Sequence, residues 1–179
     1  MIAYHVDRGH LLEAGQVIEL CTFPNQPQHI NVLAHNLALK GFTELSRFGM
    51  NMISGKWEDV KNVTSGTIED LFESYRLLFR PDAPSRLQSL FAVKQLSDLE
   101  LWRHVFGKET NGAPIWKVEC DSSSVFEFDA RYLEGGFLSS FDVNLKNAQK
   151  YWTGAFSRNP LPELLLPLPV KVVCVISEY

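Results

Sequence analysis

Ile115-Trp116-Lys117-Val118-Glu119-Cys120 and Val125-Phe126-Glu127-Phe128-Asp129 stand four residues apart, and how they are read decides the fold. Each alternates at the period of a β-strand. Parallel neighbours need a crossover of about a dozen residues or more, so strands this close point to antiparallel pairing, with a hairpin as the simplest arrangement. Asn111-Gly112 marks a turn before the first strand, and Ser122-Ser123-Ser124 fills the gap between the two.

Working outward, residues 2–6 read as a short strand, 16–23 as another after a Gly15 turn, 89–93 as a buried strand and 170–176 as the last. Helices are expected over 28–40, with Ile30, Leu33, Ala34 and Leu37 on one face and Gly41 as cap. Another carries Ile68, Leu71, Phe72, Tyr75, Leu78 and Phe79 into the core before Pro81. Ser97-Asp98-Leu99-Glu100 reads as a capping box opening a helix with Leu99, Trp102 and Phe106, which Gly107 ends. Asp142 is the expected cap of a helix with Leu145, Ala148 and Trp152, which Gly154 closes. Gly135-Gly136 is expected as a turn, and residues 42–63 as irregular chain with room for a short strand or a helical turn. Strands interleaved with helices, with connections this short, imply an α+β fold with mixed or antiparallel sheets.

The 179 residues, 45% of them apolar, suit one domain, 1–179, with a helical insertion around 27–80. A net charge of −4, from 17 basic and 21 acidic residues, disfavours a broad non-specific phosphate-binding face. No charged start leads into a signal stretch and no apolar run is long enough for a bilayer, so the expectation is a cytoplasmic protein without a membrane partner. Cys21, Cys120 and Cys174 fit neither a disulfide framework nor a metal spacing and read as buried thiols. The histidines form no ligand pairing, so no metal site is expected.

Three segments carry chemistry. Tyr4-His5-Val6-Asp7-Arg8 places an imidazole on a strand, either as a structural hydrogen-bonding group or as a donor to a ligand hydroxyl. Ser85-Arg86-Leu87-Gln88-Ser89-Leu90-Phe91 enters a strand behind two prolines. Its arginine fork suits a diphosphate and its serines suit ribose or amide groups, although a surface arginine and a turn serine would look the same. Glu163 lies among Leu161, Pro162 and Leu164-Leu165-Leu166-Pro167, so it either faces solvent on a bend or is poised in a cleft.

Together these segments carry a resemblance. Tyr4-His5 followed by Leu11-Leu12-Glu13-Ala14-Gly15 resembles the opening of the diphtheria-toxin-like and poly-ADP-ribosyltransferase branch of the ADP-ribosyltransferase superfamily. Over nearly its full length the chain is similar to a bacterial family grouped with that fold, with the motifs Tyr-His-x-x-Arg, Pro-Ser-Arg-x-x-Ser-x-Phe and Glu-x-Leu-x-Pro. Here they stand as Tyr4 to Arg8, Pro84 to Phe91 and Glu163 to Pro167.

The resemblance implies a split two-sheet core clasping NAD, with helices around it, and a mono-ADP-ribosyltransferase that releases nicotinamide and modifies a protein or nucleic acid. Glu163 and His5 would be catalytic. Tyr4, His5, Arg8, Ser85, Arg86, Ser89 and Phe91 would hold NAD as co-substrate. A toxin or effector role, with a neutralising antitoxin protein as partner, is implied in the same way. The same pocket with water as acceptor would be an NAD glycohydrolase, and the fold without catalysis would be an NAD- or partner-binding module. The middle motif lacks the tyrosine that stacks on nicotinamide in the toxins, leaving Phe91, Tyr75 or Tyr132 for that role. Leu161 stands where arginine-modifying members carry a second acid or a glutamine, so arginine is not the implied acceptor.

Overall fold

A computed structural model describes residues 1–23, 32–54, 60–106, 112–135 and 139–179. It is an α+β structure whose sheets are antiparallel throughout. Strands β1 (Ile2–Val6), β2 (Val17–Ile18), β6 (Pro114–Glu119) and β9 (Val170–Glu178) form one sheet in the order β1-β6-β9-β2. Strands β5 (Ser89–Ala92), β7 (Phe126–Asp129) and β8 (Pro162–Pro167) form a second in the order β5-β8-β7, and β3 (Cys21–Thr22) pairs with β4 (Glu44–Leu45). The two larger sheets meet where Tyr4 and Val93 exchange backbone hydrogen bonds of 2.9 and 2.8 Å.

The expected hairpin does not form. β6 lies between β1 and β9 while β7 pairs with β8, so the chain changes sheet between them. A 3-10 turn at Ser122–Ser124, whose N-cap Asp121 accepts from Ser123 N–H at 3.0 Å, makes the change of direction. Packing accounts for the preference. Ala3, Val118, Val170 and Val172 of the first sheet close on Ala92, Leu164 and Leu166 of the second, forming a core layer between them.

The other face of the second sheet, with Phe128 and Leu165, is covered by helices α3 (Val60–Phe79) and α5 (Phe141–Trp152) through Ile68, Phe72, Ala148, Tyr151 and Trp152. Strand β8 is thus central and covered on both faces, which is why Leu164-Leu165-Leu166 reads as an unbroken apolar run rather than an alternating one. That run had not been expected as a strand. Helix α4 (Leu99–Phe106) closes a further cluster with Val6, Val93, Ile115 and Tyr179.

Several boundaries differ from the sequence reading. Residues 42–63 hold β4, helix α2 (Arg47–Ser54) and the start of α3. Gly49 hides α2 from a pattern reading, and packing explains the residue: a Cβ there would meet the Leu87 carbonyl oxygen at 2.5 Å. Helix α1 (Val32–Leu39) lies within the expected helix, and residues 28–31 of that expectation lie outside those described. Gly41, at φ +83°, turns the chain after α1.

Among the described side chains of α3, Ile68 and Phe72 are buried together with Glu69, Glu73 and Arg76. Leu78 and Phe79 are exposed, whereas Arg76 turns inward to donate to Glu73 and to the Ala83 carbonyl. The 16–23 strand is two short pieces, β2 and β3. Asp98, not Glu100, bonds back to the Gln95 N–H at 3.3 Å ahead of α4, and Glu100 pairs with Arg103 instead. Ser140, not Asp142, caps α5 by accepting from Val143 N–H. Gly107, Asn111 and Gly136 lie outside the described residues. Cys120 is buried, but Cys21 and Cys174 are exposed, which corrects the expectation of three buried thiols.

Candidate functional site

Glu163 is the second residue of β8, the middle strand of its sheet, and is only 3% exposed, so it is neither on a bend nor in solvent. Its Oε1 accepts from the Tyr151 hydroxyl at 2.6 Å and from Arg86 Nη1. Arg86, in the 3-10 turn Arg86–Gln88 that leads into β5, also donates to both oxygens of Glu69 at 3.0 to 3.2 Å and to the Tyr151 oxygen at 2.9 Å. The guanidinium lies against Phe91, 4.8 Å from the ring centroid, with Tyr151 at 5.5 Å.

One buried cation therefore serves two carboxylates. Burial pushes the Glu163 carboxyl above the ordinary carboxylate range and Glu69 adds to the effect, against the opposing pull of Arg86 and the Tyr151 hydrogen bond. Burial also disfavours the Arg86 charge, but Glu163 and Glu69 outweigh it and hold the guanidinium more firmly protonated than usual. Burial drives the Tyr151 phenol well above its usual value, so the hydroxyl is a fixed donor.

His5 enters from β1, where it faces Trp116 of β6 in register. Its Nδ1 lies 2.7 Å from the Phe91 carbonyl oxygen on the second sheet. A carbonyl only accepts, so Nδ1 carries the proton and Nε2 is left as an acceptor. Burial lowers the proton affinity of the ring, more than the Phe91 bond and the Asp7 charge raise it, which favours the neutral form. His5 thus offers a ligand hydroxyl an acceptor, not the donor expected from sequence.

The imidazole and the carboxylate line one cavity of about 330 Å³. Its walls come from both larger sheets and from α2, α4 and the segment after β7, and they include Phe48, Phe91, Trp102 and Phe106. A second cavity of about 470 Å³ shares His5, Val6, Arg8, Phe48 and Phe91 with the first and continues past Gln16, Ser46, Arg47 and Asn51. The Asp7 carboxylate shapes its rim by accepting from the N–H groups of Gly9, Leu11 and Leu12 at 3.2, 2.6 and 2.8 Å. Asp129, fully buried at the end of β7, ties down the far wall of the first cavity by accepting from Arg131, Ser157 and Leu161 N–H at 3.0, 2.8 and 2.7 Å. Burial alone would raise its pKa, but these bonds prevail and hold it below the usual range.

The structure brings together Tyr4, His5, Arg8, Arg86, Phe91 and Glu163 on the first cavity. Arg8 lies over the Phe106 ring at 4.9 Å. Ser85 is committed elsewhere, donating to Glu73 Oε2 at 2.9 Å and accepting from Leu87 N–H. Ser89 Oγ donates to the Ser85 carbonyl at 2.7 Å and borders the second cavity. Arg86, expected at a diphosphate, is a buried structural cation instead. Of the three aromatics considered for stacking, Phe91 lines both cavities, whereas Tyr75 and Tyr132 pack in the cluster under α3 and α5.

Sequence reasoning missed Glu69, Asp129, Tyr151 and Trp102. Glu69, Glu73 and Arg76 recur at helical spacing on the inward side of α3, a signal that was available, but Tyr151 and Asp129 gave none. Among the described residues no group of three or more His, Cys, Asp or Glu side chains could hold a metal ion. No described helix is long and apolar enough to cross a membrane.

A family model described as "Protein of unknown function (DUF2441)" matches residues 3–178. The chain belongs to the DUF2441 family. The match runs from β1 to the end of β9, so His5 and Glu163 both fall inside the DUF2441 unit. No curated protein matches the chain.

Proposed function

We propose that the protein is an NAD-dependent mono-ADP-ribosyltransferase with a split two-sheet core of the ADP-ribosyltransferase type. The observation that carries this reading is that His5, from one sheet, and Glu163, from the other, line a single cavity although nearly the whole chain separates them. The two joined cavities suit an elongated dinucleotide. The nicotinamide riboside end takes the aromatic cavity, against Phe91, and the ADP portion extends toward Arg8, Arg47 and Asn51.

His5 Nε2 accepts from a ribose hydroxyl and orients the sugar. Among the described residues no donor bonds Glu163 Oε2, so that oxygen is the one available to the ribose. As the bond between C1′ and nicotinamide lengthens, positive charge grows on the sugar, and a carboxylate already fixed by Arg86 and Tyr151 favours that state over the ground state. The acceptor is a protein or nucleic-acid group, as expected of a toxin or effector, and an antitoxin protein that covers the cleft would silence it.

The test is incubation with NAD labelled in the adenylate half, alone and with lysate. Label in protein or nucleic acid, with stoichiometric nicotinamide, supports transfer, and free ADP-ribose alone makes the protein a glycohydrolase. No nicotinamide release from the wild type under either condition refutes the reading.

A further inference from the structure

Any transfer to a neutral acceptor must place a proton somewhere, and the groups already described are poorly suited to receive it. Glu163 Oε1 is taken by Arg86 and Tyr151, and its carboxyl is buried. The His5 ring is half-buried, with Nδ1 committed to the Phe91 carbonyl and Nε2 turned to the ribose. Leu161, on the same cavity wall, supplies no polar group.

Among the described residues, the other carboxylate lining that cavity is Glu134, in the 3-10 segment Ala130–Gly135. It is exposed, so a proton received there can pass to water. It is also held in place: Arg131 Nη1 donates to Glu134 Oε1 at 2.6 Å, while Arg131 Nε donates to the Asn159 carbonyl at 3.2 Å. The Asp129 carboxylate anchors the backbone N–H groups of both Arg131 and Leu161, so the Glu134 segment and the Leu161 wall share one fixed point.

We infer that Glu134 is the general base for the acceptor, and hence that the acceptor is a neutral nucleophile bearing a proton, such as a hydroxyl, an amide or a ring N–H. This rests on the ADP-ribosyl transfer reading. The acceptor lone pair forms the new bond to ribose C1′. The bond from C1′ to the nicotinamide nitrogen breaks, and its electron pair leaves with nicotinamide, which becomes neutral. The acceptor proton moves to the Glu134 carboxylate and on to solvent.

The experiment compares wild type, Glu134→Gln and Glu163→Gln for NAD affinity by calorimetry and for nicotinamide release, with and without sodium azide. Azide is an anionic nucleophile with no proton to lose. Glu134→Gln should bind NAD like the wild type and lose about 100-fold or more in release, the scale of a missing general base. Azide should restore release to within about tenfold of wild type, with ADP-ribosyl azide seen by mass spectrometry. Glu163→Gln, defective in bond cleavage, should not respond to azide. Wild-type rates in Glu134→Gln, or a loss that azide does not repair, overturn the assignment of Glu134 alone. A wild type that releases no nicotinamide overturns the transfer reading and this inference with it.

Discussion

Replacing Arg86 by methionine tests the central electrostatic argument, because the two carboxylates it serves do not depend on it equally. In the wild type Arg86 bonds Glu69 through Nε and Nη2 and Glu163 through Nη1, all with side chains under 10% exposed. Removing one partner of a buried ion pair typically costs about 3–5 kcal/mol, because the other charge is left buried without compensation. Arg86→Met leaves two such carboxylates and belongs at the upper end of that range at pH 7. Glu163→Gln leaves Arg86 paired with Glu69 and should cost about 1 kcal/mol, the scale of one hydrogen bond.

The pH dependence follows from the raised pKa of Glu163. A raised carboxyl contributes stability that is complete below its unfolded value, about 4.3, and is lost as pH rises through the folded value. Without the guanidinium that folded value rises further, so the cost of Arg86→Met should shrink as pH falls from 7 to 5. Adding Glu163→Gln should recover part of it at pH 7. Urea denaturation of the four proteins at both pH values measures this, and a pH-independent Arg86→Met cost, or equal costs for the two single variants, would refute the reasoning.

Other consequences are simpler to measure. Glu163→Gln should reduce nicotinamide release by about 100- to 1000-fold while the protein stays folded, as read by a steady-state assay beside a melting curve. Asp129→Ala strips the acceptor from three N–H groups and should cost about 2–4 kcal/mol at neutral pH. The contribution of Asp129 is present above an unfolded value of about 3.9 and fades as pH falls through its depressed folded value, so acid titration of the variant should lack that late loss. Burial raises the Cys120 thiol, whereas Cys21 and Cys174 are exposed. Thiol reagents should therefore label those two quickly and Cys120 only with unfolding, which intact-mass spectrometry can follow.

What the sequence disclosed depended on how local the cause was. Strand β1 and the Gly41 and Gly154 helix stops follow from neighbouring residues, and they stand where the pattern puts them. Strand β8 was missed for the reason it is central: covered on both faces, it shows no alternation, and its one charge looked like a bend. The separation of β6 from β7 could not be read from a four-residue gap, because it is set by which faces pack between the two sheets. At the site, position was legible and partnership was not. Arg86 looked like a phosphate clamp, and only the approach of α3, with Glu69 on its inward side, makes it a structural cation. Tyr151 sits at the end of α5, and its hydroxyl acquires meaning only when β8 lies beside it.

Strands β1 and β8 come from opposite extremes of the sequence, yet both wall the same cavity. Contacts of such long range form slowly and late in folding. During synthesis the imidazole would leave the ribosome long before the carboxylate, and the pocket could not close until β8 was in place. The cleft is therefore absent while the chain is being made, and truncation ahead of residue 163 would leave a remnant without it.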